Sequence, residues 1–190
     1  MGVWYHTPMK KTAFLRIAEA RRSIRAFQAR PVERTKLRLC LEAARLAPSA
    51  CNAQPWKFVV VDDPALKARL ADAAFSGLHK MNRHAAGAPV LVAVVSERGS
   101  ALAWMGNLLQ GTLFRLVDIG IACEHFVLQA QELGLGTCWL GWFDAKAASR
   151  LLAVPRGRRV EMLLSLGYPD EAPKPRPRHS LAEMSSFNKF

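Results

Sequence analysis

The chain has no Cys-x-x-Cys pair, and none of its four cysteines, Cys40, Cys51, Cys123 and Cys138, has a histidine at metal-ligand spacing. Neither a zinc site nor a redox dithiol is therefore indicated, and the expectation is reduced, mostly buried thiols. No uninterrupted apolar run reaches the ~18 residues that span a bilayer. Lys10 and Lys11 are followed by no apolar targeting segment, because Glu19, Arg21 and Arg22 interrupt it. The expected compartment is therefore cytoplasmic, with no membrane partner. No Gly-x-Gly-x-x-Gly follows a strand: Gly134-Leu135-Gly136 lacks the third glycine and precedes a strand instead, so no Rossmann dinucleotide domain is indicated.

Acid is the scarce charge, with 15 Asp and Glu against 27 Lys and Arg and a net charge of +12. Alone, that balance raises a nucleic-acid or anionic-membrane reading. The distribution argues against it. Arginines run from Arg16 to Arg178 among apolar and acidic residues and are dense only at 156–159 and 174–178. Zinc-finger spacing, a basic heptad region and an aromatic RNA-binding signature are all missing, so no nucleic-acid partner is expected. The positive field should instead attract phosphorylated small molecules.

The 190 residues suit a single domain over 1–190, with its core at about 15–185. Periodicity predicts helices at 12–23, 32–46, 64–74, 112–133 and 144–152, and strands at 57–61, 89–95, 137–143 and 159–166. The 112–133 helix is apolar on nearly every side, which fits either a buried helix or an interface. Residues 75–88, with His79, Asn82 and His84, read as a loop or broken helix, and neither histidine has a ligand-spaced partner, so both are expected at the surface. Pro169, Pro173, Pro175 and Pro177 keep the tail extended. Alternating helices and strands give an α/β or α+β sheet with helices on both faces.

What is present is polar and local. Ala47-Pro48-Ser49-Ala50-Cys51-Asn52-Ala53-Gln54-Pro55-Trp56 packs short donors and acceptors between two prolines just before a strand, a stiff loop suited to touching a ligand. Upstream, Arg21-Arg22-Ser23-Ile24-Arg25-Ala26-Phe27 sets three guanidiniums and a hydroxyl within five residues, which suits a phosphate. The same arginines end a predicted helix, where a solvated cap is the ordinary use of a cation. Trp139-Leu140-Gly141-Trp142, taken alone, is a core strand with two tryptophans.

Together these segments resemble the flavin-dependent nitroreductase family, whose members carry Arg-Arg/His-Ser-x-Arg/Lys near the start and Pro-Ser-x-x-Asn-x-Gln-Pro-Trp further on. Asp118-Ile119-Gly120-Ile121-Ala122, Gly134 to Trp142, Leu166-Gly167-Tyr168-Pro169 and Arg176-Pro177-Arg178 recur in the family's order and spacing. The resemblance implies a three-layer α+β fold: a mixed, mainly antiparallel sheet flanked by helices, with an extended C-terminal tail reaching a partner subunit. It also implies bound FMN and a transient NADH or NADPH stacked on it, with ping-pong passage of hydride to an electron-poor nitroaromatic or quinone.

By the same resemblance, Arg21 and Ser23, with Arg22 beside them and Arg176 and Arg178 from the tail, would hold the phosphate. Arg25 would sit near N1 and the C2 carbonyl, where charge accumulates on reduction. Pro48, Ser49, Ala50 and Asn52 would come from the other subunit of a homodimer and cover the ring. Among Trp139, Leu140, Gly141 and Trp142, a backbone N–H of Gly141 or Trp142 would approach N5. No side chain acts as nucleophile or acid, and no metal enters. The same scaffold also serves azoline oxidases, dehalogenases and flavin reductases. A non-catalytic flavin sensor or carrier is the other alternative, with Trp104, Trp139 and Trp142 filling the space above the ring. The 79–111 region carries no motif.

Overall fold

The computed structural model describes residues 11–97 and 111–190, so Trp104 and the 98–110 part of the motif-free region lie outside the described residues. Helix α1 (Ala13–Ala20) begins where Thr12 Oγ1 accepts the Leu15 N–H at 3.3 Å. Helix α2 (Arg34–Arg45) buries Leu37, Cys40 and Ala44 along one stripe and stops short of Pro48. Strand β1 (Trp56–Val61) leads to α3 (Pro64–Ala74), where Asp63 caps the Leu66 N–H at 2.7 Å and Pro64 presets the first turn. Successive 3-10 turns cover Gly77–Gly87 and deliver the chain to β2 (Val90–Ser96). Then come α4 (Phe114–Glu132), β3 (Gly136–Leu140), α5 (Ala145–Leu151), β4 (Arg159–Gly167) and a single helical turn, α6 (Leu181–Met184).

The strands form one sheet in the order β1-β2-β4-β3, each neighbouring pair antiparallel. Its mixed character comes from Ser23, which makes a parallel bridge to Thr137 on the outer edge of β3. Every residue of β2 is buried, as a strand covered on both faces must be. Val90, Val92 and Val94 pack with Leu37, Cys40, Phe126 and Val127 beneath α2 and α4. Leu91, Ala93 and Val95 pack with Leu70, Phe75 and Leu163 on the opposite side, beneath α3 and α5. The result is three layers, helices on sheet on helices. Among the described residues no helix is long and apolar enough to cross a membrane.

Three sequence expectations need correction. β3 ends at Leu140 rather than at Phe143, because the chain turns at Gly141: Phe143 is buried and the Asp144 N–H donates to the Ala74 carbonyl at 2.9 Å. The tail is extended through 171–180 but then turns helical. There the Ser180 Oγ accepts the Glu183 N–H at 3.2 Å while Glu183 accepts the Ser180 N–H at 2.7 Å. His79 and His84 are half-buried, not surface residues.

A polar latch joins the start of α2 to the end of β4. The Tyr168 hydroxyl donates to Glu33 at 2.6 Å and accepts from Lys36 Nζ at 2.9 Å, and the Arg30 guanidinium lies 4.0 Å from the ring centroid. The Tyr168 hydrogen bond, foremost among several causes, lowers the Glu33 pKa from 4.5 to about 2. A carboxyl depressed in the folded state binds fewer protons than in the unfolded chain. Its stabilisation is therefore complete above pH 4.5 and is lost as pH falls towards about 2. Thermal melts across that window should show the wild type losing more stability than Glu33→Gln. The difference should shrink in high salt, because Glu33 is solvent-exposed.

Candidate functional site

The arginine segment is placed by its backbone. After α1 the chain becomes extended, and Ile24 N–H donates to the Thr137 carbonyl at 2.8 Å, so the segment rides on β3. It can come this close because residue 136 is glycine: a Cβ there would lie 2.6 Å from Ile24 Cγ1. Further along, Glu171 Oε1 accepts the N–H groups of both Arg25 and Ala26, the latter at 3.1 Å. Phe27 bridges Pro169, and Gln28 N–H donates to Tyr168 O at 2.9 Å. These bonds pin the start of the tail beside the arginines.

Between segment and tail opens a cleft of about 810 Å³ lined by Ala18, Glu19, Arg21, Arg22, Ser23, Arg25 and residues 173–178. Among these lining residues six are cations (Arg21, Arg22, Arg25, Lys174, Arg176 and Arg178) and one, Glu19, is a carboxylate. Glu19 is itself paired with Lys11 at 2.6 Å, and that hydrogen bond lowers its pKa. The cations differ in commitment. Arg22 donates to the Glu19 carbonyl and, at 2.9 Å, to that of Arg21, capping α1 as a helix-terminal cation does. Half-buried Arg21 lies 3.8 Å from Glu124, whose pKa burial pushes up. Arg25 makes only a long 3.5 Å contact to Ser23 O. A phosphate monoester needs convergent cations and a hydroxyl donor, and this set fits one.

At the far end of β3, Trp139 is half-buried and Leu140 buried, while Gly141 and Trp142 are exposed. The 3-10 segment braces them: Trp142 Nε1 donates to Leu78 O at 3.1 Å, Asn82 Nδ2 donates to Trp142 O at 2.9 Å, and the His79 ring tilts against the indole at 5.5 Å. Among the described residues, nothing pairs with the buried His84 Nε2. Burial first, then the nearby Arg25 charge, pushes its pKa down.

The Pro48–Asn52 loop does not line this cleft. It folds against α4, where the Ala50 N–H donates to Asp118 Oδ1 at 3.0 Å. Cys51, Asn52 and Gln54 have φ of 51°, 53° and 45°. Non-glycine residues in that left-handed region are strained by about 1–3 kcal/mol each. Nearby, Leu46, Leu113, Leu116 and Val117 expose apolar side chains at the end of α2 and the start of α4.

The structure thus joins Arg21, Arg22, Ser23 and Arg25 to Arg176 and Arg178, and sets Pro48, Ser49, Ala50 and Asn52 apart from them. Lys174, Glu171, Asn82, His84 and Asp118 escaped sequence reasoning. Asp118 and Glu171 act on backbone N–H groups 68 and about 145 residues away, which leaves no local pattern. Lys174 had a signal in the dense basic tail, and Asp118 stood at the head of a family block, though pattern alone assigned neither a role. Among the described residues no cluster of His, Cys, Asp and Glu is arranged to hold a metal ion.

A three-layer α+β fold with a cationic cleft walled by its own tail defines a recognisable class. Residues 18–168 match the model described as the Nitroreductase family, and the chain belongs to that family. It is similar to an NADH dehydrogenase of Thermus thermophilus, 32% identical over 187 residues that cover 85% of this chain and 87% of that one. It is also similar to an NADPH-flavin oxidoreductase of Vibrio harveyi, 30% identical over 84% of this chain and 67% of the other. Among solved structures, an FMN-dependent nitroreductase from Clostridium difficile superposes with a TM-score of 0.72 at 30% identity, covering 92% of this chain and 98% of that one.

Proposed function

We propose that two copies of this chain bind FMN at two interface sites and pass hydride from NADH or NADPH to an electron-poor acceptor, a nitroaromatic or a quinone. The observation that carries this reading is the cleft where Arg21, Ser23, Arg25, Arg176 and Arg178 converge. The names of the similar proteins, which include an FMN-dependent nitroreductase and an NADPH-flavin oxidoreductase, support it. Bound there, FMN supplies two-electron transfer between a nicotinamide donor and an acceptor.

The chain's residues position and polarise. Arg21, Ser23, Arg176 and Arg178 grip the phosphate. Arg25, presented from a backbone that Glu171 holds, places a cation where reduction builds negative charge. Gly141 and Trp142 offer the backbone N–H for N5. Pro48, Ser49, Ala50 and Asn52 serve the partner's site, a role supported by their distance from this copy's cleft and by the exposed apolar face around them. The surplus positive charge favours the more anionic NADPH.

Anaerobic mixing of the yellow protein with NADPH should bleach the flavin absorbance, and menadione or nitrofurazone should then be turned over in the steady state. A flavin that stays oxidised under excess NADH and NADPH rules out the nicotinamide-dependent reading. Bleaching without turnover favours a carrier.

A further inference from the structure

Three of the four residues 51–54 adopt left-handed backbone although none is glycine. Such a shape persists only where its surroundings over-determine it. Two of its supports are internal to the loop: Gln54 N–H donates to Ser49 Oγ at 2.9 Å, and Gln54 Nε2 donates to Asn52 Oδ1 at 3.1 Å. The third comes from outside, the 3.0 Å bond from the Ala50 N–H to Asp118 Oδ1. Asp118 is only 4% exposed, on a helix whose neighbouring Ile119 and Ala122 are core. A carboxylate in such surroundings is expensive to desolvate, and the backbone it holds is that of the loop. The two residues before it, Leu116 and Val117, are exposed and apolar. The same turn of α4 therefore carries both an outward apolar face and the anchor of the loop.

Resting on the interface-site reading above, we propose that Asp118 is a positioning residue acting in trans: from one subunit it holds Ser49, Ala50 and Asn52 in the shape that closes over the partner's flavin. Assembly of the subunits and completion of the site then become one event, since one stretch of α4 sets both.

Subunit mixing tests this. Differently tagged chains are co-expressed and the heterodimer isolated, one subunit carrying Asp118→Ala and the other Arg21→Ala with Arg176→Ala. The intact cleft of the first subunit then meets the intact loop of the second. Menadione turnover should recover to about half the wild-type rate per dimer, because one of the two symmetric sites is whole. Each parent homodimer should be lower by about tenfold or more. Asp118→Asn keeps an acceptor oxygen in place and should stay within about threefold of wild type. Asp118→Ser, polar but too short to reach Ala50, runs in parallel in case the alanine variant does not fold.

Heterodimers no more active than their parents overturn the role in trans. Alanine and serine homodimers that match wild type in turnover and FMN affinity overturn the positioning role. If neither variant folds, Asp118 is a stability residue and the proposal falls. Failure of the underlying reading looks different: the wild-type chain itself stays monomeric, or stays colourless in excess FMN.

Discussion

Replacing Arg21 and Arg176 together with alanine should weaken FMN binding by about a hundredfold, read by flavin fluorescence titration at fixed ionic strength. A hydrogen bond to a charged phosphate contributes about 1.5–3 kcal/mol, and two such bonds discounted for the exposure of Arg176 come to about 3 kcal/mol. The fold should survive. Arg21 approaches only Glu124, at 3.8 Å, and Arg176 stands on the exposed tail. Arg156→Ala removes a positive charge from outside the cleft and should leave the affinity unchanged, which separates contact from field. Raising salt should weaken the wild type more than the double variant, because fewer exposed cations remain to be screened. A double variant within about threefold of wild type would place the phosphate elsewhere.

Gly136→Ala should lower both stability and flavin affinity, although it adds a single methyl group to a strand. That methyl would meet Ile24 Cγ1 at 2.6 Å, Cβ at 2.9 Å and Cγ2 at 3.0 Å. Cβ is not the free end of a flexible side chain, so the backbone must yield. That backbone is the Ser23 bridge and the Ile24 bond to Thr137, which set the arginines over the cleft. Overpacking of this kind costs about 1–3 kcal/mol. At about 2–4 °C of Tm per kcal/mol, a drop of several degrees should appear in a thermal melt. Gly120→Ala is the opposite case: an added Cβ meets nothing within 4 Å, and the residue lies inside α4. Removing glycine from a helix interior should raise stability by about 0.5–1 kcal/mol. Similar melting points for the two variants would mean that Ile24 does not press on β3 as described.

Local chemistry made much of this legible in advance. Asp63-Pro64 is a start signal, so α3 runs over the same residues that the pattern predicts. The β-branched run of β2 reads as a doubly buried strand and is one. Ser180 and Glu183 form a capping box at local spacing, while the prolines before them favour an extended tail. The end of β3 was not legible, because Trp142 and Phe143 suit a strand. What stops it is the closure of Asp144 onto Ala74 in another layer.

At the candidate site the division is similar. That Arg21, Arg22, Ser23 and Arg25 form one cationic cluster was readable from charge and spacing, and the proposed phosphate role came with the family resemblance. The sequence alone also determined most helices and strands, because periodicity and caps act over a few residues, and its motifs carried the family resemblance that implied the order of layers. Only the tertiary structure decided that Glu171 locks Arg25, that Asn82 and Leu78 hold Trp142, and that Asp118 supports the left-handed loop. Each of these is a hydrogen bond between groups some 60 or more positions apart. Such bonds have no period and no spacing, and they exist only once burial of the layers has brought the partners within reach.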